Sequence, residues 1–239
     1  MSLVNVTIIY GTIKRGNTYN CVQLLLNNLK LNANVNVTDF FLSKDSPYFY
    51  HGCLSSLSTD KNIHFQVNYV HSIIKSLNDS DLIILASPVY ACDISTEMKV
   101  LLDDLSHKFI QNKTNSLLCN KIGLVISTSA GAGLFHTTIT LKRALHFLGV
   151  NNTFRFAETL YEINWENITL RKRMQINKEI SKLSNKILAL HISLNTGNSD
   201  FSNKITSSKT HPILVNNKCS ILDLSYRKKH PSFHNKNTY

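Results

Sequence analysis

Five strand candidates, separated by stretches of helical periodicity, constrain this chain more than any other feature. Leu3–Tyr10, Val35–Leu42, Asp81–Ser87, Lys121–Ser127 and Asn152–Glu158 read as strands. Helical patterns fall between them at about Thr18–Leu31, Ile63–Leu77, Ser95–Ile110 and Phe135–Leu148, and a longer one runs from Asn167 to about His191. A strand buried on both faces, as in a parallel sheet covered by helices, reads as a near-continuous apolar run, and Leu3–Tyr10 comes close to that. Strand–helix alternation of this length predicts an α/β doubly wound sheet. With five strands the favoured order is 2-1-3-4-5, which puts a binding crevice at the carboxyl ends of the strands beside the first one.

The loops at that edge are the unusual ones. The first strand runs into Gly11-Thr12-Ile13-Lys14-Arg15-Gly16-Asn17-Thr18. Two glycines permit unusual backbone angles and a close approach by a ligand. Asn17 or Thr18 is placed to cap a helix beginning near Tyr19. A helix N-terminus flanked by hydroxyls and by Lys14 and Arg15 suits a phosphate. The spacing is neither GxxxxGK[ST] nor GxGxxG, so neither of those two phosphate loops accounts for it. The third strand leads into Pro88, Val89 and Tyr90, a stiff turn carrying an apolar edge and an aromatic ring, with Ser95 or Thr96 to cap the next helix. The fourth leads into Ser129-Ala130-Gly131-Ala132-Gly133, small residues whose amides can face a ligand. Together the three loops predict a pocket.

Composition narrows the possible partners. The 239 residues, 43% hydrophobic and 17% charged, suit one α/β domain over residues 1–194, followed by a polar, basic extension over 195–239. The formal charge is +11, but it is dispersed, and no zinc-finger spacing or aromatic-basic strand points to nucleic acid. No apolar run approaches the roughly 18–20 residues of a membrane span, and the start of the chain lacks the layout of a signal peptide. Five scattered cysteines, an odd number, suit reduced thiols in the cytoplasm better than a disulfide framework. No His/Cys/Asp/Glu cluster has metal-ligand spacing, so no metal is expected. His51 and His136 lie in or near crevice loops without forming a second active site.

These residues carry a resemblance. The opening loop is similar, one residue shorter, to the Gly-Ser-Pro-Arg-x-x-Gly-Asn-Thr that opens the NAD(P)H-dependent FMN reductases of the flavodoxin-like superfamily and their iron–sulfur relatives. The third-strand motif of that family is matched by Asp81–Tyr90, Ser95, Met98-Lys99 and Leu102-Asp103. The resemblance covers roughly Leu3 to Glu158. It implies a flavodoxin-like fold, FMN as cofactor and NADH or NADPH as co-substrate. It further implies that Thr12, Lys14, Asn17 and Thr18 hold the FMN phosphate, that Pro88, Val89 and Tyr90 line the flavin ring, and that Ser129, Ala130 and Gly131 meet its pyrimidine edge. The flavin carries the chemistry, with no side chain as general acid and Tyr90 shaping the pocket. The implied reaction passes electrons to a small acceptor such as a quinone, a flavin or another reducible aromatic. The alternative is a flavin-binding electron-transfer or regulatory protein without NAD(P)H turnover.

Two departures and one seam complete the reading. The cluster-binding cysteines of the iron–sulfur relatives are reduced here to Cys53, and such clusters need about four thiolates. No cluster is expected. The last helix carries Ile176, Ile180, Leu183, Ile187 and Leu190, a narrow stripe that fits either packing on the sheet or a helix–helix contact between subunits. That stripe, the apolar patches Ile213-Leu214-Val215 and Ile221-Leu222 in the extension, and the resemblance together predict a homodimer or a dimer of dimers.

Overall fold

The computed structural model describes residues 2–42, 67–111 and 118–196. The stretch around His51 and Cys53, and the chain beyond Thr196 with its two apolar patches, lie outside the described residues.

The five predicted strands form one parallel sheet in the order β2-β1-β3-β4-β5. They are β1 (Leu3–Tyr10), β2 (Asn34–Phe41), β3 (Leu82–Pro88), β4 (Ile122–Ser129) and β5 (Asn152–Thr159). The helices are α1 (Asn17–Lys30), α2 (Val67–Asp79), α3 (Thr96–Gln111), α4 (Leu134–Phe147) and α5 (Leu170–Thr196). Registers such as Ile8↔Ile84, Ile84↔Leu124 and Ile126↔Phe156 align the strands so that their carboxyl ends share one edge.

The central strands β3 and β4 are buried on both faces, and β1 nearly so, because each face has its own core. In β3, Leu82 and Ile84 pack with Leu25 and Leu29 of α1 and with Ile176, Ile180 and Ile187 of α5. Ile83 and Leu85 point the other way, into a second cluster with Ile73 of α2, Met98 and Leu105 of α3 and Leu141 of α4. Thr7 faces α2 from the middle of β1 and is satisfied there, its hydroxyl 2.7 Å from that of Ser76. Each buried aliphatic side chain contributes roughly 1.5–3 kcal/mol, so the two faces together hold the sheet.

The stripe on α5 is part of this core. Ile176, Ile180, Ile187 and Leu190 are at most 1% exposed and pack within their own chain. Of the two readings it is the intrachain one that holds, so this seam is not a subunit contact. The helix also starts later than the periodicity suggested, at Leu170, because Trp165–Asn167 forms a separate 3-10 turn. It is pinned where it enters by Arg173, which donates to the Trp165 carbonyl at 2.7 Å and lies over the Trp165 ring.

Candidate functional site

Helix α1 begins at Asn17, two residues before the predicted start, and its N-cap is Gly16 with no side-chain cap. The two residues expected to cap it are occupied elsewhere. Asn17 Nδ2 donates to the carbonyls of Glu162 (2.8 Å) and Ile163 (3.3 Å), and the Thr18 hydroxyl meets the Thr128 hydroxyl at 2.7 Å. The first turn carries no acidic residue. Its N–H groups therefore face the loop with neither a cap nor a repelling carboxylate, the arrangement that attracts an anion. A Cβ built on Gly16 would meet nothing within 4 Å, so the approach is open.

The rest of the opening loop suits the same anion. Thr12 Oγ1 accepts from the Lys14 N–H at 3.1 Å, which fixes the hydroxyl and leaves its proton to donate. Lys14 is exposed. Arg15 is not aimed at the helix end: its guanidinium lies over the Tyr19 and Phe41 rings, 5.5 and 5.8 Å from their centroids. Gly11 also serves another purpose than the expected one. It has no positive φ, and a Cβ there would stand 2.5 Å from Ser95 Oγ, so its bareness lets the end of β1 pack against the start of α3.

The loop after β3 is a tight turn. Tyr90 and Asp93 exchange backbone hydrogen bonds at 2.8 and 3.0 Å, and Ala91 and Cys92 both take positive φ, 47° and 63°. Two consecutive left-handed residues inside a reciprocally bonded turn make it type I′, unusual without glycine or asparagine and strained. Tyr90 is held with 48% of its surface exposed, while Pro88 and Val89 are half-buried. Beyond the turn Ser95 caps α3, accepting from the Met98 N–H at 3.3 Å, and its own N–H donates to Ser87 Oγ at 3.0 Å.

The loop after β4 is held by Ser129, whose hydroxyl accepts from the Gly131 N–H (2.9 Å) and donates to the Ala132 carbonyl (2.7 Å). Ala130 and Gly131 are exposed. Gly133, at φ 93°, starts α4 and backs onto the turn after β3. His136 lies on the exposed side of α4, edge-on to Phe135.

The ten predicted site residues thus lie on the three loops at the carboxyl edge or on the strand ends and helix turn that flank them. A fourth loop, after β5, joins them and was missed. Tyr161, at φ 57° and 79% exposed, opens it, and Asn17 clamps the carbonyls of Glu162 and Ile163. Only the carboxyl-edge position of β5 in the predicted order signals that this loop belongs there. Beneath the loops Glu158 pairs with Lys172. Burial, and then the Glu158 charge, push the Cys21 thiol up to about 12, so this cysteine is an inert core residue. Among the described residues no group of three His, Cys, Asp or Glu side chains is arranged to hold a metal, and no helix is long and apolar enough to cross a membrane.

A 2-1-3-4-5 parallel sheet with helices on both faces and an uncapped helix N-terminus after β1 defines a flavodoxin-like α/β protein. Solved structures with this fold include an oxidoreductase from Corynebacterium diphtheriae (14% identity, TM-score 0.57, covering 81% of this chain and 99% of that one). An FMN-dependent NADH-azoreductase from Bacillus anthracis in complex with FMN matches at 14% identity and TM-score 0.54, covering 78% and 99%. The apo form of an NADH:FMN oxidoreductase matches at 16% identity and TM-score 0.53, covering 76% and 88%. No curated protein matches the sequence. The family model for NADPH-dependent FMN reductase matches residues 4–157, and the chain belongs to that family. It is an oxidoreductase with FMN as cofactor and NAD(P)H as co-substrate.

Proposed function

We propose that the chain reduces a small planar acceptor, a quinone, a flavin or another reducible aromatic, with its FMN phosphate seated at the N-terminus of α1. The observation that carries this reading is the uncapped, acid-free first turn of α1 beside Thr12 and Lys14. Bound FMN supplies hydride acceptance from NAD(P)H and onward electron transfer. The protein's part is to hold and orient. First-turn N–H groups, the Thr12 and Thr18 hydroxyls and the Lys14 ammonium neutralise the phosphate. Asn17 contributes its backbone N–H there, since its amide already clamps the loop after β5. Pro88, Val89 and Tyr90 give the ring an apolar wall, and Ser129, Ala130 and Gly131 give its polar edge a rigid backbone.

The protein acts as a homodimer or a dimer of dimers in the cytoplasm. Support for association comes from Ile13, Tyr90, Phe135, Tyr161 and Ile163, large apolar side chains left exposed on the four carboxyl-edge loops and the first turn of α4. The free thiols Cys21 and Cys92 suit a reducing compartment.

The test is the absorption spectrum of the purified protein loaded with FMN, before and after anaerobic addition of NADH or NADPH. Bleaching followed by recovery on adding a quinone supports the reading. A bound flavin that no acceptor of this class reoxidises faster than buffer does would overturn the acceptor assignment. Sedimentation as a monomer at micromolar concentration with full turnover would overturn the dimer.

A further inference from the structure

The geometry points to Thr128 as a positioning residue for the phosphate cradle, acting through Thr18; this rests on the phosphate seating proposed above. Thr128 is near the end of β4, 6% exposed, and its neighbours in register are Pro88 on β3 and Glu158 on β5. Three elements meet at this one residue. Its hydroxyl bonds to Thr18 in the first turn of α1 at 2.7 Å, and its carbonyl accepts from the Val89 N–H at 3.2 Å. It therefore ties the helix that seats the phosphate to the loop that lines the ring.

The direction of the hydroxyl pair matters. Either oxygen can donate across a Thr–Thr contact, and each hydroxyl has a single proton. If Thr18 donates to Thr128, it offers only lone pairs outward and repels an anion. If Thr128 donates, the Thr18 proton is left for the phosphate. An anion at α1 selects this second arrangement, Thr128 O–H to Thr18 O–H to phosphate oxygen, a chain whose members strengthen one another. Thr128 thus sets the rotamer and the polarity of a cradle hydroxyl without touching the cofactor.

The experiment compares FMN with riboflavin, which lacks the phosphate, by flavin-fluorescence titration of wild type, Thr128→Val, Thr128→Ser, Thr18→Val and the double variant. Thr128→Val should weaken FMN by about five- to tenfold, the size of one lost neutral hydrogen bond, and leave riboflavin unchanged. Thr128→Ser should restore FMN binding to within about twofold, and in the Thr18→Val background Thr128→Val should cost less than about twofold more. Thr128→Ala replaces the Val variant if that one fails to fold. An unchanged FMN affinity, an equal loss for both flavins, or an undiminished loss without the Thr18 hydroxyl would each overturn the assignment. If the wild type instead binds riboflavin as tightly as FMN, it is the phosphate seating itself that fails.

Discussion

Gly133 backs directly onto Cys92: a Cβ on Gly133 would stand 2.6 Å from the Cys92 Cα and 2.6 Å from Val89 Cγ1. The loops after β3 and β4 thus touch through a glycine whose φ of 93° also disfavours any other residue. Gly133→Ala should destabilise the protein by about 2–4 kcal/mol, clash and backbone strain together. Denaturant titration checks the magnitude. A loss under about 0.5 kcal/mol would mean that the two loops are not in contact.

Gly11→Ala pushes a methyl group toward Ser95 Oγ and so toward the cap of α3. Loss of that cap is worth about 1–2 kcal/mol. The cost should fall in a Ser95→Gly background, where the opposing hydroxyl is gone. Strictly additive losses in the double-mutant cycle would contradict the contact.

The turn after β3 should be easier to stabilise than to damage. Ala91 at φ 47° pays the left-handed penalty of roughly 1–2 kcal/mol, which glycine avoids at a smaller entropic cost. Ala91→Gly should therefore raise stability by a few tenths to about 1 kcal/mol, measured as an upward shift in the thermal midpoint. A lower midpoint would show that the turn is not type I′.

His146 carries a pH signature. Burial, and then the Lys142 charge, hold its pKa below the ordinary value of 6.5. The unfolded chain takes up a proton first, so acid favours unfolding. The stability His146 secures is complete above about pH 6.5 and is lost as pH falls from there toward the lower folded value. His146→Gln should flatten that part of the stability-versus-pH curve. An unchanged slope would place the acid sensitivity elsewhere.

What the sequence disclosed, and what it hid, follows from the range of the interactions. The sheet and its order were legible because five strand segments alternate with helical periodicity, which a doubly wound parallel sheet satisfies. Element ends were less so: β4 runs on through Thr128 and Ser129, whose hydroxyls are satisfied by Thr18 and by their own loop. The purpose of Gly11 was misjudged because its constraint comes from Ser95, far along the chain. The type I′ turn was invisible because Ala91 and Cys92 are not the residues that turn favours. The loop after β5 was missed because Tyr161–Ile163 carries no motif and is held in place by Asn17, far away in the sequence.

The bare first turn of α1 has a consequence for the empty protein. A helix end without a cap frays, and its first amide protons exchange with solvent at low opening cost. With the FMN phosphate seated there as proposed, it would serve as an external cap, and loading the cofactor would complete a piece of folding. The amides of Asn17, Thr18 and Tyr19 should therefore be among the sites most protected from deuterium exchange by FMN. Inorganic phosphate alone should reproduce part of that protection, whereas riboflavin should leave those amides as fast as in the unloaded chain.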